Sequence, residues 1–348
     1  MTNYLDKAIT LAEMVEGQTS CNPPVGAIIV KDGRIIGMGA HLKQGERHAE
    51  IQAIDMAGAE HVEGSTMYVS LEPCSHFGKT PPCAKRIIET GIARVIYAAR
   101  DVTLPATGHR MMEEAGVKVD YRPHPRSERL YQPFFESKKS ETPIVTVKVS
   151  ASIDGKQATD HNESQWITNP DVKTDVFQLR HHHDAIITGS GTLHSDNPSL
   201  TVRRENGHHP TRVILSRSGK IQWDAQLFHD HQAPIFIYTE NAQLQTSLSH
   251  VEIVYLERCE VSAILKDLYQ KGFGRVLVEA GPNVTSQFLS SNMITHFILY
   301  LAPKLIGGQG LNQFYQTDEI KKLNHLHQFE IVETSLIDTN VKIHMKRK

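Results

Sequence analysis

The feature that most constrains this chain is a set of four residues in its first quarter that can bind and use a metal ion. His48 and Glu50 lie in a His-Ala-Glu triplet, Cys74 directly follows Pro73, and Cys83 comes shortly after it. One imidazole and two thiolates suit zinc, and three protein ligands leave a fourth position for water. The set therefore predicts a catalytic zinc site rather than a structural one.

The composition excludes several classes of function. The 348 residues suffice for two domains at roughly 150 residues each. Lysine and arginine number 37 against 39 acidic residues, so the chain lacks the positive charge that nucleic-acid binding requires. Its start follows an amphipathic helix pattern rather than that of a signal peptide, and no apolar run predicts a membrane span. We expect a cytoplasmic, homo-oligomeric protein that acts on a small molecule and binds neither nucleic acid nor membrane.

The pattern of the N-terminal half predicts an α/β sandwich. VGAIIV and RIIGMGA should form a hairpin about Asp32-Gly33, and TMYVSL and ARVIYAA read as further strands. Helices are predicted to start near His48 and Cys83, where the helix dipole lowers thiolate pKa values. Residues two apart in mid-helix cannot reach one metal ion, but His48 and Glu50 can do so from a first turn.

This arrangement indicates hydrolytic deamination of a ring. Zinc lowers the pKa of a bound water to about 7, and Glu50 is expected to carry its proton to the leaving nitrogen. A structural zinc closed by His41 or His76 is the alternative interpretation of the same residues. The loop between Cys74 and Cys83 departs from the CxxC spacing of general zinc deaminases.

The C-terminal half predicts a second α/β domain, after a linker rich in proline and charge that ends near residues 140 to 144. No GxGxxG motif follows a strand, so a Rossmann fold has little support. Two loops that follow strands, TGSGT at 188–192 and EAGPN at 279–283, can bind a phosphate through backbone N–H groups or serve turn geometry alone. The histidine-rich stretches, at 181–183, 208–209 and 229–231, indicate polar surface loops rather than a second metal site.

One string resolves the unusual cysteine spacing. LEPCSHFGKTPPC at 71–83, together with CNPPVGAIIV and the HAE triplet, closely resembles the deaminase domain of the bifunctional riboflavin-biosynthesis deaminase/reductase family, in which such a loop displaces the second cysteine. The resemblance implies zinc on His48, Cys74 and Cys83, with Glu50 as the proton shuttle. It also implies a small-molecule substrate, a diaminopyrimidinone that carries a ribosylamino phosphate.

The resemblance extends over the second half. SASIDGK, ESQWIT, GTLHSDNPSLTVR, VEAGP and APKLIGG look like successive motifs of the same family's reductase domain, in which NADPH delivers hydride to the open-chain C1 of the sugar. The implied substrate contacts are Ser164, Arg180, Leu200, Arg203 and Glu279. The implied NADPH contacts are Ser150, Trp166, Thr192, Asp196, Gly281, Pro282, Asn283, Val284, Thr285, Ser286 and Gln287.

The expected fold class is α/β: a cytidine-deaminase-like α/β/α sandwich over residues 1–142, and a dihydrofolate-reductase-like α/β domain over residues 143–348. The expected function is zinc-dependent deamination followed by NADPH-dependent reduction. Two alternatives stay open at this point. One is a nucleoside or RNA base deaminase with a C-terminal binding module, and the other is a non-catalytic ligand-binding protein with a structural zinc.

Overall fold

The protein is described from a computed structural model over residues 3–77, 81–103, 108–161, 163–164, 167–203, 208–308, 312–317 and 326–348. It divides into two compact units, Met1–Glu141 and Thr142–Lys348, each with its own β-sheet. Within the described ranges, no helix has the length and apolar character needed to cross a bilayer.

The sheet of the first unit begins with the predicted hairpin. β1 (Gly26–Lys31) pairs antiparallel with β2 (Arg34–Ala40). Between them, Asp32 and Gly33 have φ values of 49° and 73°. Two successive positive φ angles are typical of the type I′ turn, whose twist matches that of the paired strands and which Asp-Gly favours. The hairpin prediction is confirmed.

Three further strands complete this sheet in the order β2-β1-β3-β4-β5. β3 pairs antiparallel with β1, whereas β3, β4 and β5 run parallel to one another. Successive side chains point to opposite faces, so Ile29, Met67 and Val95 belong to one core cluster and Ile28 and Ile96 face the other side. The bounds are Thr66–Val69 for β3, Arg94–Tyr97 for β4 and Lys118–Tyr121 for β5.

Helices cover both faces of this sheet. Ala53, Ile87 and Met112, from three different helices, pack into the core cluster of Ile29, while Ile9 packs with Ile96 on the opposite face. The result is the predicted α/β/α sandwich. The helices are α1 (Tyr4–Met14), α2 (Ala49–Ala57), α3 (Cys83–Glu89), α4 (Gly108–Glu114) and α5 (Pro125–Ser140).

A glycine sets the start of α2 close against β2. A Cβ atom on Gly39 would lie 2.3 Å from the carbonyl oxygen of Ala49, the first residue of α2. Only a residue without a side chain permits that approach. The packing therefore fixes the helix end at which His48 and Glu50 lie.

Helix α5 belongs to the first unit, a point that the sequence left open for the aromatic residues of the linker. Tyr131 is fully buried, and its hydroxyl lies 2.6 Å from Ser70 Oγ and 2.9 Å from the carbonyl oxygen of Pro24. At the start of the helix, Arg126 Nε donates to Glu13 Oε1 of α1 at 2.9 Å. These contacts hold α5 at both its first and its middle turns.

The second unit has a nine-stranded sheet in the order β10-β9-β8-β7-β11-β6-β12-β14-β13. Its strands run parallel as far as β12, and the C-terminal hairpin β13–β14, which the sequence patterns did not predict, adds two antiparallel strands. The bounds are β6 (Ile144–Ser152), β7 (Ala185–Gly189), β8 (Thr211–Leu215), β9 (Ile235–Thr239), β10 (Val251–Tyr255), β11 (Arg275–Val278), β12 (His296–Ala302), β13 (Phe329–Ile337) and β14 (Asn340–Arg347).

Helices again lie on both faces. Ile264 and Phe288 pack with Val147 on one side, and Leu193 packs with Ile186 on the other. The predicted helix at Asn169 is confirmed, because the Asn169 side chain accepts a hydrogen bond from the N–H of Val172 and caps it. The helices are α6 (Pro170–His181), α7 (Ser190–Asp196), α8 (Val261–Gln270) and α9 (Pro282–Ser290), with a short 3₁₀ turn at Gln226–Phe228.

One histidine of the histidine-rich run after α6 is a core residue. His183 is 4% exposed, and its Nδ1 donates to the carbonyl oxygen of Leu179 at 2.5 Å. Its Nε2 lies 2.9 Å from Thr146 Oγ1. Burial, with the positive charge of Arg275 nearby, lowers the pKa of His183 to about 3. The ring is therefore neutral in the folded protein at ordinary pH.

We expect His183 to make the second unit sensitive to acid. Unfolded histidine has a pKa near 6.5, so between that pH and about 3 the unfolded state binds more protons than the folded state. The free energy of unfolding should fall as pH drops through 6.5, by up to about 1.4 kcal/mol per pH unit for this group. Both tryptophans, at 166 and 223, lie in the sequence of this unit, so urea unfolding followed by tryptophan fluorescence reports on it alone.

His183→Gln is the matched variant, because an amide keeps hydrogen-bonding capacity but does not titrate. The unfolding free energy of the variant should change less than that of the wild type between pH 7.5 and pH 5, values chosen to lie on either side of about 6.5. Equal changes in both proteins would contradict this role for His183.

Candidate functional site

Two of the four residues singled out in the first unit lie at helix starts. His48 occupies the N-cap position of α2, and Cys83 is the first residue of α3. Cys74 joins them through the backbone, because its carbonyl oxygen accepts from the N–H of Ala84 at 3.1 Å. Its sulfur also accepts from the N–H of Cys83 at 3.3 Å. The turn after β3 thereby places Cys74 over the start of α3.

Three ligand atoms converge at this point. His48 Nδ1 lies 3.3 Å from the sulfur of Cys83 and 3.6 Å from that of Cys74. All three atoms lie within 4.8 Å of one another, and no other such group occurs among the described residues. One ring nitrogen and two sulfurs at this spacing fit zinc, and a site with three protein ligands is of the catalytic type.

His41 and His76, considered above as the fourth ligand of a structural zinc, do not belong to the ligand group. His41 accepts from the Asn22 side-chain amide at 3.2 Å and contacts the Arg47 carbonyl oxygen at 3.3 Å. Its ring meets that of His48 edge-on at 5.2 Å, without joining the ligand group. His76 lines the adjoining cavity and is also outside that group.

The two thiols differ in acidity because each acts on the other. A hydrogen bond from Cys83, with further help from His48, lowers the pKa of Cys74 to about 4. The same partner raises the pKa of Cys83, and its burial adds to that effect. The thiolate at Cys74 in turn raises the pKa of His48. The surroundings of Cys74 therefore favour its thiolate, the form in which sulfur binds zinc.

Glu50 lies in the first turn of α2, beside the ligand group. It is 3% exposed, and its Oε2 has no hydrogen-bond partner among the described residues. Burial, followed by the negative charge of Cys74, raises the pKa of Glu50 from 4.5 to about 7. A carboxyl group with such a pKa can both accept and release a proton near neutral pH, as a general acid and base must.

A cavity of about 740 Å³ adjoins the group and is lined by His48, Glu50 and Cys74. Its volume is within the range of pockets that hold a small molecule. Other lining residues come from the segment before β1, from the segments after β2, β3 and β4, and from the second half of α5: Asn22, His41, Glu72, His76, Asp101, Phe134, Phe135, Lys138 and Lys139.

The second unit has a cavity of about 1220 Å³ where its parallel strands end. Ligands of parallel α/β sheets commonly bind at that edge. The volume exceeds the roughly 300–1,000 Å³ of a pocket for one small ligand, so it has room for two. The structure brings most of the residues named from the sequence to this cavity: Ser150, Ser164, Arg180, Thr192, Asp196, Leu200, Arg203, Glu279, Gly281, Pro282, Asn283, Val284 and Gln287.

A partly buried ion cluster lies in this second cavity. Both carboxylate oxygens of Glu279 accept from the Arg180 guanidinium, at 2.8 and 3.0 Å. Lys148 Nζ lies 3.5 Å from Glu279 Oε1. Burial alone would raise the pKa of Glu279, but the charges of Arg180 and Lys148 outweigh it and lower the pKa to about 2. Glu279 is therefore ionised and fixes both cations at the cavity wall.

A hydrogen bond also links the two segments that the sequence proposed for phosphate. The first of them is not a loop, because α7 follows β7 directly. Thr192 Oγ1 in α7 accepts from the N–H of Gly281 at 3.0 Å, so the start of α7 contacts the start of α9. A Cβ atom on Gly191 would meet nothing within 4 Å, so the start of α7 leaves open space at that point. The first turn of α9 faces the cavity and can receive a phosphate at its N–H groups.

One contact joins residues assigned to different ligands, and one assigned residue has an unusual backbone conformation. Ser164 Oγ donates to Asp196 Oδ1 at 2.9 Å, which places an expected substrate contact beside an expected NADPH contact. Leu200 has φ of 54° and is 3% exposed. A left-handed backbone is uncommon for a leucine, and such strain concentrates at ligand sites.

Two of the expected NADPH contacts, Thr285 and Ser286, do not line this cavity. Thr285 is fully buried, and its hydroxyl donates to the carbonyl oxygen of Ala280. Ser286 is 7% exposed and donates to the carbonyl oxygen of Pro282. Both follow the first turn of α9, and the helix rotates them toward the core. Trp166 lies outside the described residues.

The sequence patterns missed three cations of this cavity, Lys148, Lys173 and Arg217. Lys148 had a signal, because it interrupts the apolar strand PIVTVKVSAS, where a buried lysine needs a partner. Arg217 follows β8, the neighbour of β7, at the same edge of the sheet. The topology that places Arg217 there cannot be read from residue patterns alone.

The histidine-rich loops form no second metal group among the described residues. His183 is a core residue, and His229 Nε2 lies 3.0 Å from the carbonyl oxygen of Trp223. The rings of His231 and His250 contact each other at 4.7 Å. The surface-loop interpretation is therefore wrong for His183, whereas His229 and His231 are exposed, as it expects.

Family models match both units. Residues 1–99 match the cytidine and deoxycytidylate deaminase zinc-binding region, and residues 143–343 match the RibD C-terminal domain. The fold and the two cavities thus define the class: an enzyme with a zinc-dependent deaminase domain followed by a reductase domain that uses NADPH.

Comparisons over the whole chain identify the family. The chain is 37% identical to the riboflavin biosynthesis protein RibD of Bacillus amyloliquefaciens, with 98% of this chain and 94% of that protein aligned. It is 31% identical to RibD of Escherichia coli, with 98% of each chain aligned. A crystal structure of a diaminohydroxyphosphoribosylaminopyrimidine deaminase/5-amino-6-(5-phosphoribosylamino)uracil reductase from Thermotoga maritima matches with a TM-score of 0.88 and 34% identity, over 99% of this chain and 98% of that one. This chain belongs to the RibD family of bifunctional riboflavin biosynthesis enzymes.

We expect that removing either thiol of the ligand group removes bound zinc. A serine hydroxyl is a much poorer zinc ligand than a thiolate, so Cys74→Ser and Cys83→Ser should each reduce the zinc content, measured by atomic absorption, to near background. Cys21→Ser and Cys259→Ser are the controls, because neither cysteine belongs to the group. Full zinc content in the first two variants, or its loss from Cys259→Ser, would show that zinc binds elsewhere.

Proposed function

We propose that residues 1–142 deaminate 2,5-diamino-6-ribosylamino-4(3H)-pyrimidinone 5′-phosphate and that residues 143–348 reduce the product with NADPH. The final product is then 5-amino-6-ribitylamino-uracil 5′-phosphate. The observation that carries this proposal is the pairing of a three-ligand zinc group and a neighbouring Glu50 with a second, larger cavity for two ligands, in one chain. The name of the Thermotoga maritima enzyme describes the same pair of activities.

In the first cavity, His48, Cys74 and Cys83 hold the metal. Zinc, when bound, supplies the Lewis acidity that activates water for attack on a ring carbon. Glu50 holds and moves the proton, because its buried carboxylate lies in the first turn of α2 beside the ligand group, where it can accept a proton from water and donate it to the leaving amine.

In the second cavity, the ion cluster defines the wall that binds substrate. Glu279 orients Arg180 and Lys148, and Arg180 also donates to the carbonyl oxygen of Thr201 at 2.9 Å. Arg203 is exposed and lines the same cavity, where its planar guanidinium is suited to the substrate phosphate. Ser164 and Leu200 complete the proposed substrate contacts.

The cofactor would bind at the edge formed by the start of α7 and the start of α9. NADPH supplies the hydride that reduces C1 of the sugar. Thr192 and Gly281 hold the two segments together, while Asn283, Val284 and Gln287 line the path along α9. Ser150 and Asp196 line the same cavity, and Trp166 keeps its proposed NADPH contact as a prediction from the sequence. The expectation that the protein forms a homo-oligomer likewise stays a prediction from the sequence.

The separation of the two activities tests the proposal. Glu50→Gln keeps the size of the side chain but cannot accept a proton, so ammonia release should fall by about 10²–10⁴-fold. The variant should retain zinc. When it is supplied with the deaminated intermediate, its rate of NADPH oxidation should equal that of the wild type, because Glu50 belongs only to the first cavity.

Arg203→Ala is the reciprocal variant. It should weaken the reduction of the deaminated intermediate and leave ammonia release unchanged, because its side chain lines only the second cavity. A folded Glu50→Gln protein that loses both activities, or that releases ammonia at the wild-type rate, would contradict the proposed division of roles.

A further inference from the structure

Gln157 is a polar residue of the second cavity that has no role in the proposed function. It follows β6 in the stretch SIDGKQA, and its half-buried side chain lines the cavity. Its Oε1 atom is buried and accepts no hydrogen bond from any described residue. No other buried or half-buried residue described in this lining has a buried side-chain nitrogen or oxygen without a partner. Because a buried polar atom is costly when unpaired, Gln157 Oε1 points to a donor on a ligand.

The carbonyl oxygen of Ala280 sets the orientation of this amide. Gln157 Nε2 donates to it at 3.4 Å. A carbonyl oxygen can only accept, so the NH₂ end of the amide faces Ala280 and Oε1 is the end without a partner. A separation of 3.4 Å is longer than the roughly 2.7–3.2 Å of a strong bond. The amide is therefore loosely held and can turn Oε1 toward a ligand in the cavity.

The backbone of Gln157, in contrast, is firmly held. Its N–H donates to the carbonyl oxygen of Asn312 at 2.8 Å. The preceding residue, Lys156, forms an antiparallel bridge with Gln313. The Asn312 side chain in turn donates to the carbonyl oxygen of Thr159 at 2.6 Å. A fixed backbone with a loosely held side-chain end is suited to contact with a ligand that arrives later.

The position of Gln157 is where the two proposed ligands must meet. Ala280 stands between Glu279, on the wall proposed for the substrate, and Gly281, at the start of α9 where the cofactor phosphate is proposed to bind. Hydride transfer needs the reacting atoms about 3–3.5 Å apart, so the nicotinamide ring must lie between those two places. The carboxamide of that ring carries N–H donors. An acceptor beside Ala280 therefore matches this end of the cofactor.

A simpler explanation of the same contacts makes a different prediction. The Gln157 amide then serves only to tie the segment after β6 to Ala280, and a water molecule is the donor to Oε1. The Ala280 carbonyl does not depend on this tie, because it also accepts from Thr285 Oγ1 at 3.0 Å. A purely structural amide predicts that cofactors with and without a carboxamide N–H respond equally to its removal.

We propose that Gln157 accepts a hydrogen bond from the carboxamide N–H of the nicotinamide ring and thereby orients that ring toward the substrate. This inference rests on the proposed function, since it names a residue that orients the cofactor assigned to the second cavity. The NADPH contacts implied by the sequence resemblance do not include Gln157.

The test measures binding without turnover. NADP⁺ is compared with its 3-acetylpyridine analogue, in which a methyl ketone replaces the carboxamide and leaves no N–H donor, by calorimetric titration in the absence of substrate. Gln157→Met keeps the length of the side chain but removes the acceptor. The preference for NADP⁺ over the analogue, as a ratio of Kd values, should be about fivefold smaller in this variant than in the wild type, the effect expected from one neutral hydrogen bond.

Controls separate this effect from a change in folding. Affinity for the acetylpyridine analogue should change less than twofold in Gln157→Met, which shows that the cavity is intact. Gln270→Met, at an exposed position in α8 outside the cavity, should keep the wild-type preference. Ammonia release should be unchanged in both variants, because neither residue lines the first cavity.

A kinetic measurement tests the orienting role. With the deaminated intermediate and saturating NADPH, kcat of Gln157→Met should fall at least fivefold, because hydride transfer depends on the orientation of the ring. The KM for the intermediate should change less than twofold. With the reduced acetylpyridine analogue as hydride donor, the variant and the wild type should have equal kcat values.

The outcomes separate the inference from the proposed function. Equal losses of affinity for both cofactors in Gln157→Met, or no change for either, would overturn the role of Gln157 and leave the reductase assignment intact. Weaker binding of the intermediate alone would also overturn it, because the amide would then contact the substrate. A wild-type protein that binds no NADP⁺ and oxidises no NADPH would overturn the proposed function itself, and this inference with it.

Discussion

The positions of the residues in both sites depend on the turns at which the chain leaves the ends of parallel strands. In the first unit, the turn after β3 brings Cys74 to the start of α3, and the glycine contact between β2 and α2 fixes His48 at a second helix start. In the second unit, the segments after β7, β8 and β11 meet along one edge of the sheet. Backbone N–H groups are unpaired at helix starts, so these positions favour thiolates and phosphates before any side chain contributes.

The two glutamates Glu50 and Glu279 show how surroundings give one residue type two roles. Glu50 is buried near a thiolate, and its pKa rises to about 7, so it can exchange protons near neutral pH. Glu279 is partly buried, and Arg180 and Lys148 lower its pKa to about 2. Glu279 therefore stays charged and positions cations. The difference arises from which charges the fold places beside each carboxylate, because burial alone raises both pKa values.

The sequence was sufficient where local patterns decide the outcome. The Asp-Gly turn, the helix cap at Asn169 and the placement of His48 and Cys83 at helix starts follow from short-range chemistry, and the structure shows each of them. The sequence was insufficient where long-range packing decides. The continuous stretch from Gly281 to Gln287 was assigned to NADPH as a block, but helix rotation buries Thr285 and Ser286. Likewise, the place of α5 beside the deaminase cavity depends on the contacts of Tyr131, which no residue pattern specifies.

The most direct test of the account is one assay of the wild-type protein with the diaminopyrimidinone phosphate, with and without NADPH, in which ammonia and NADPH absorbance are followed together. The account predicts ammonia release without NADPH. With NADPH present, its oxidation should begin only after ammonia appears and should approach the same molar amount. Absence of ammonia, or oxidation of NADPH that precedes ammonia release, would contradict the assignment of two successive reactions to these two cavities.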